Sequence, residues 1–291
     1  MDRRTDRLPE PIDAIRRAQR RRRARDMAQD VEMRKRKHLS MRLTRAGAIV
    51  VAVLSAACST PDRFGAPAEA VSALQRPDYE TFDETDAVRF NRTAKARPVI
   101  YERLAEYLVE RFDLSAREGI GIDVGGGPGD LILDLAARTK QFYWVNTDIN
   151  TWYARPFAEE ALKRGLVHRT GFVFADACAL PFKDGYADLV LSRGAYQFWG
   201  SLEKGVREAH RVLKPGGWAF IGRGFPPSMP EEEVRSVLGR GLAGGPDYDP
   251  DKDASRFRSI MAALGVKDFE VIRHKPADAS LNYGVWLCFR K

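Results

Sequence analysis

Cysteine is scarce in this chain: three in 291 residues, at 58, 178 and 288, with no CxxC pair among them. That excludes a disulfide framework and a cysteine-built metal site, and leaves Cys178 and Cys288 as isolated thiols expected in the core. Long hydrophobic runs are missing too. The apolar stretch at 46–57, AGAIVVAVLSAA, has twelve residues, short of the ~20 that a bilayer-spanning helix needs. There are no internal repeats. The main body of the chain also lacks a charge bias. The formal net charge is +8, but residues 1–45 hold 16 Lys or Arg against 7 Asp or Glu, and the remaining 246 residues hold 32 against 33. The basic character therefore belongs to the N-terminal tail.

That tail contains Arg-Arg-Arg-Arg-Ala-Arg at 20–25 and Arg-Lys-Arg-Lys at 34–37, with few apolar neighbours. Such runs are solvated and disordered by default. They can also touch nucleic acid or an anionic membrane. The stretch at 46–57 follows Arg42 and Arg45 and precedes Cys58, the order of charged, apolar and small-residue regions in a signal peptide. With a start at Met41, it would read as a bacterial lipoprotein signal lipidated at Cys58. Alternatively, it docks on a membrane surface or on the protein itself. The expected organisation is a basic tail at 1–45, a signal-like or membrane-docking segment at 46–58, a linker at 59–76 and one folded domain at 77–291.

What is present in that domain centres on residues 120–130, IGIDVGGGPGD. An apolar strand-type run carrying Asp123 leads into Gly125, Gly126, Gly127, Pro128 and Gly129. Leu131, Ile132, Leu135 and Ala136 follow with helical spacing. Strand, glycine turn and helix open a nucleotide-binding α/β unit, in which glycines allow close backbone approach and the helix start offers free N–H groups. No Gly-Lys-Ser or Gly-Lys-Thr follows the turn, so it is not a P-loop. Counted from Gly125, the third small residue of a dinucleotide fingerprint falls on Asp130, a poor fit. What remains is D-x-G-x-G-x-G, on Asp123, Gly125, Gly127 and Gly129.

At this point the chain resembles the class I S-adenosylmethionine (SAM)-dependent methyltransferases. The run 142–145 ends in Asn146, Thr147 and Asp148, where the family has a ribose-binding acid. The run 172–175 leads into Asp176-Ala177-Cys178-Ala179-Leu180-Pro181-Phe182, similar to the family's D-A-x-x-L-P-F segment, whose Asp reaches the adenine amino group. Residues 187–192, ADLVLS, resemble the fourth strand, with Ala187 in place of the usual Phe. Residues 208–217, EAHRVLKPGG, resemble the helix end and turn before strand five. The signals keep family order, and the small-molecule branch that includes quinone-biosynthesis methyltransferases looks nearest. The resemblance implies a Rossmann-like, doubly wound α/β sheet, mostly parallel with an antiparallel closing strand pair. It implies SAM as cofactor and Asp123, Gly125, Gly126, Gly127, Gly129, Asp148, Ile149, Asp176, Ala177 and Ser192 as its contacts.

Periodicity fits that sheet. Ile100, Leu104, Tyr107, Leu108 and Phe112 give an amphipathic helix over 99–114. Strands then alternate with helices up to 222, followed by a Pro- and Gly-rich insert at 225–250, a helix near 253–264 and runs at 268–273 and 283–290. Residues 77–97 mix aromatics with charge without clean periodicity, and Tyr79 and Phe82 there are candidates for a lid.

Methyl transfer from a sulfonium is an in-line displacement that chiefly requires positioning, so no catalytic residue is assigned. A general base is required only where the acceptor must lose a proton. Candidates for the acceptor pocket lie past the fourth and fifth strands: Arg193, Tyr196, Trp199 and Arg223. The two arginines could clamp a carboxylate or phosphate bidentately, or pair with Asp176 or Glu203. Tyr196 and Trp199 could wall the pocket or belong to the core. His210 reads as a solvent-facing helix residue. The expected function is SAM-dependent methyl transfer to a small-molecule acceptor, anionic if the arginines bind it. An RNA or protein methyltransferase docking through its tail and a membrane-tethered SAM-binding module without turnover are the alternatives. The near-neutral body argues against nucleic acid, as does the lack of an Asn-Pro-Pro-Tyr or Asp-Pro-Pro-Tyr loop. Use of SAM implies a cytosolic location, with membrane contact through 1–58 or a Cys58 anchor as variants.

Overall fold

A computed structural model describes residues 82–238, 248–276, 278 and 280–291. The tail, the signal-like segment with Cys58, the linker and Tyr79 lie outside the described residues, as does the middle of the 225–250 insert.

Two helices come first, α1 (Glu84–Lys95) and α2 (Pro98–Arg111), and the sheet begins with β1 (Gly119–Val124). There follow α3 (Asp130–Arg138), β2 (Phe142–Asp148), α4 (Ala154–Lys163), β3 (Thr170–Phe174), β4 (Ala187–Arg193), α5 (Leu202–Val212) and β5 (Leu213–Gly224). The chain ends through α6 (Glu231–Leu238), α7 (Pro250–Leu264), β6 (Phe269–Ile272) and β7 (Gly284–Arg290). The seven strands lie in the order β3-β2-β1-β4-β5-β7-β6. Pairings from β3 to β5 are parallel, and β7 runs antiparallel to both β5 and β6. This is the doubly wound sheet with an antiparallel closing pair. No helix of the described residues is long and apolar enough to cross a membrane.

Alternation along the strands divides the core between the two faces of the sheet. Ile122, Val190 and Ile221 pack with α5 and α7 on one face, and Trp144, Leu189, Leu191 and Phe220 with α2, α3 and α4 on the other. Gly121 interrupts β1 because Trp144 of the paired strand lies over it: a Cβ there would sit 2.1 Å from the indole ring.

Three elements depart from the sequence expectation. Residues 84–95 are a helix, started by the Asp83 side chain accepting from the Asp86 N–H. Within the Pro- and Gly-rich insert, α6 forms over Glu231–Leu238, with three glutamates in its first turn and Val234 and Val237 buried. In β5, the segment expected as a turn, Lys214-Pro215-Gly216-Gly217, is taken into the strand as an irregularity: Ala187 pairs Leu213, but Leu189 pairs Trp218.

Candidate functional site

From β1 the sheet winds outward one way through β2 and β3, and the other way through β4 and β5. Ligands of open α/β sheets bind at the carboxyl ends of the strands where the winding reverses. A cavity of about 650 Å³ lies there, within the range of small-molecule sites. It is lined by segments following all five parallel strands, together with Phe90, Thr93 and Ala94 of α1.

Backbone conformation builds the glycine turn. Gly125, Gly127 and Gly129 have φ of 73°, 55° and 83°, a region L side chains avoid. The Gly125 and Gly126 N–H groups donate to Thr147 O at 2.8 and 3.0 Å. A Cβ on Gly126 would lie 2.0 Å from Asn146 Oδ1 and 2.7 Å from Asp123 Oδ2. On Gly127 the nearest atom to such a Cβ is in the Tyr153 ring at 3.7 Å, so that side of the turn is open. Gly129 is absent from the cavity wall. It starts α3 beneath Phe157, where a Cβ would sit 2.3 Å from the ring.

Two carboxylates face this turn. Asp148 Oδ2 accepts the Gly127 N–H at 2.9 Å, and its Oδ1 accepts the Asn150 N–H at 2.8 Å. Burial pushes its carboxyl up to about 6, against the lowering effect of these bonds. Asp123 is 2% exposed, and its Oδ1 has no hydrogen-bond partner among the described residues. Burial, then repulsion from Asp148, pushes it up to about 7, while the Arg193 cation pulls it down. A buried carboxylate oxygen without a donor is a costly arrangement and a natural receptor for a cationic or donor group.

Asp176 and Ala177 line the cavity past β3, and Ile149 lines it past β2. Asp176 Oδ1 accepts the Cys178 N–H at 2.8 Å, which holds the carboxylate in place. Ser192 does not reach the cavity. It is 1% exposed and donates to Val124 O at 2.7 Å, tying β4 to β1.

The acceptor candidates separate. Arg193, Trp199 and Arg223 line the cavity, whereas Tyr196 is 4% exposed beneath it. Its hydroxyl donates to Asp253 Oδ2 at 2.5 Å and its ring meets Phe257 edge-on, so it joins α7 to the loop after β4. Neither arginine forms an ion pair with Asp176 or Glu203. Glu203 is engaged by Arg256 at 3.1 Å. Arg193 lies over the Tyr101 ring at 4.9 Å and donates to its hydroxyl at 3.2 Å. Arg223 lies over the Tyr248 ring at 4.1 Å. His210 is half-buried against Phe289, away from the cavity.

Over the mouth lies α1. Asn150 Nδ2 donates to Asp83 O at 3.0 Å and Lys95 pairs with Asp130 at 2.7 Å. The Phe198 ring meets Phe82 and Phe90 edge-on, at 6.4 and 5.8 Å. Phe90, Tyr101, Asn150, Tyr153 and Tyr248 line the cavity without having been singled out in the sequence. Only proximity to the glycine turn and Asp148 could have pointed to Asn150 and Tyr153. Tyr101 sits beside the apolar stripe of α2 and carries no separate signal.

Residues 122–221 match the model of a family described as a methyltransferase domain. This part of the chain is a methyltransferase domain. The match opens in β1 and closes in β5, so it takes in the glycine turn, both carboxylates and Arg193. Among curated relatives, the spinach chloroplastic 2-methyl-6-phytyl-1,4-hydroquinone methyltransferase is 33% identical over 126 residues, 43% of this chain and 36% of that protein. The ubiquinone/menaquinone biosynthesis C-methyltransferase of Brucella abortus is 36% identical over 97 residues, 33% of this chain and 36% of that protein. The chain thus spans about a third of the length of the curated relatives it matches. A solved Methanococcus maripaludis protein, assigned as an S-adenosyl-L-methionine-dependent methyltransferase, is 26% identical with a TM-score of 0.62. It covers 75% of this chain and 96% of its own. A SAM-dependent methyltransferase from Aquifex aeolicus shares the fold at 18% identity and a TM-score of 0.50, over 72% of this chain and 99% of its own.

Proposed function

We propose that the protein is a SAM-dependent methyltransferase acting on a small-molecule acceptor. The observation that carries this reading is the pairing of an open glycine turn with two buried carboxylates, one of them unsatisfied, on one cavity wall. The residues fit the cofactor. Asp148 uses one lone pair on each oxygen for backbone N–H groups, which leaves acceptor capacity on both for the neighbouring hydroxyls of a ribose. The unpartnered Asp123 oxygen suits an ammonium. Gly125, Gly126 and Gly127 give the backbone close access, and Ile149, Asp176 and Ala177 form the wall for the base. Gly129 and Ser192 support this wall from behind.

When bound, SAM supplies a methyl group on a sulfonium whose departure leaves a neutral thioether. The chain's own residues then hold the two reactants in line and keep water out. The acceptor meets Phe90, Phe198, Trp199 and Tyr248, and an anionic group on it meets Arg223, whose face stacks on Tyr248. Apolar, aromatic walls suit a flat ring, and the relatives named above act, by their names, on a hydroquinone or in quinone biosynthesis. The near-neutral body does not favour RNA. A cytosolic location, where SAM is at hand, is the reading favoured for the working enzyme, and membrane contact through 1–58 is a separate proposal.

The test is methyl transfer from labelled SAM to hydroquinones, with and without a carboxylate, set beside bulk RNA. Label on the hydroquinones and none on RNA supports the reading. Label on RNA alone would overturn it.

A further inference from the structure

Three buried polar groups on the wall of this cavity lack partners among the described residues: Asp123 Oδ1, Arg193 Nε and Trp199 Nε1. The first accepts hydrogen bonds and the other two only donate.

Topology places two of them on one face of the sheet, and the third comes from the loop after β4. Asp123 pairs with Leu191 across parallel strands, so the two share a face of the sheet, and Arg193, two residues on, returns to that face. Arg193 is thus one step beyond Asp123, close enough for its charge to be felt there but outside ion-pair distance among the described residues. The turn brings in Trp199. Its Nε1 lies 3.7 Å from the position of a Cβ on Gly125, and Asp123 Oδ2 lies 2.7 Å from the position of one on Gly126, the next residue. Gly205 of α5 seats the indole: a Cβ there would be 2.2 Å from the ring. Tyr101 seats the guanidinium, which leaves Nε and part of each terminal nitrogen's donor capacity unused.

A carboxylate acceptor and two donors on the wall of a pocket proposed above to take a nucleoside are the complement of an α-amino acid zwitterion. We propose that Arg193 and Trp199 Nε1 receive the α-carboxylate of the cofactor's amino-acid tail, opposite the ammonium at Asp123, and that Arg193 takes no part in an acceptor clamp. This rests on the cofactor reading above. It divides the two arginines: Arg193 is a positioning residue for the cofactor, and Arg223 alone faces an anionic acceptor.

Calorimetry on the full chain tests this with two ligands, S-adenosylhomocysteine and its decarboxylated analogue. Wild type should bind the carboxylated ligand about 10- to 100-fold more tightly, the value of a hydrogen bond to a charged group. Arg193→Ala should weaken S-adenosylhomocysteine to nearly the analogue's affinity and leave the analogue unchanged. Arg193→Lys should recover only part of the loss. Trp199→Phe keeps the ring and should cost about 5-fold for the carboxylated ligand alone. Equal affinity of wild type for the two ligands would overturn the proposal without recourse to any variant. So would unchanged S-adenosylhomocysteine affinity in Arg193→Ala with a raised KM for the acceptor, which would return Arg193 to an acceptor clamp. Failure of wild type to bind either ligand would instead sink the cofactor reading itself, and this proposal with it.

Discussion

The glycine turn separates structural from ligand-facing residues within three positions. Gly126 is packed from inside: Gly126→Ala drives a methyl group into Asn146 and Asp123, and should cost about 1–3 kcal/mol of stability by overpacking. Gly127 has open space, so Gly127→Val should leave a folded protein, strained at φ 55°, that no longer admits the cofactor. Melting temperature and S-adenosylhomocysteine affinity distinguish the two cases. Asp148→Ala should weaken the cofactor by roughly 1.5–3 kcal/mol, the range for bonds to a charged group. It should also lower the melting temperature, because the Gly127 and Asn150 N–H groups lose their acceptor. The carboxyls set a pH signature as well. Asp123 and Asp148 are raised to about 7 and about 6, so these two groups hold more protons in the folded protein than in the unfolded chain above pH ~4. Their contribution to stability therefore falls as pH rises from about 4 to 7. An ammonium at Asp123 favours the ionised form, so cofactor affinity should rise across the same window, with proton release on binding. Thermal melts of the free protein at pH 5.5 and 8, and calorimetry in two buffers, read these signs. A free protein stabilised by these groups at high pH would contradict them.

Among the elements, those that point at the core were legible in the sequence and those that roof the cavity were not. The glycine turn announced β1 and α3 through local chemistry, and Leu131, Ile132 and Leu135 bury as their spacing requires. By contrast, α1 buries only Ala87 and Ala94, while Phe90 meets the cavity and Phe198. A helix whose inner face covers a ligand site needs no continuous apolar stripe, so its periodicity is weak. The three glutamates opening α6 were a start signal, masked by the prolines and glycines around them. Tyr196 and Ser192 fell in the right loop and strand, but which way each side chain turns depended on Asp253 and Val124, distant in sequence. If α1 is a roof held by edge-on aromatic contacts worth about 0.5–1.5 kcal/mol each, Phe198→Ala should loosen it selectively. Hydrogen exchange should rise in α1 and remain unchanged in β1 and β4. A uniform rise across the sheet would mean that Phe198 supports the whole fold.

For the whole molecule, the basic charge and the Rossmann-like fold occupy different parts of the chain. Residues 1–45 carry the positive excess, and the methyltransferase domain lies at 122–221. Deleting residues 1–69 should leave turnover of a small acceptor nearly intact, measured as kcat with labelled SAM. A large loss would bring the tail into the active site. The most direct measurement is calorimetric titration of the full chain with S-adenosylhomocysteine, beside Gly127→Val and Asp148→Ala. One site per chain, lost in Gly127→Val and weakened in Asp148→Ala while both variants stay folded, is the outcome that the turn and its two carboxylates predict. Absence of binding to the folded wild-type protein, or binding indifferent to both substitutions, would contradict it.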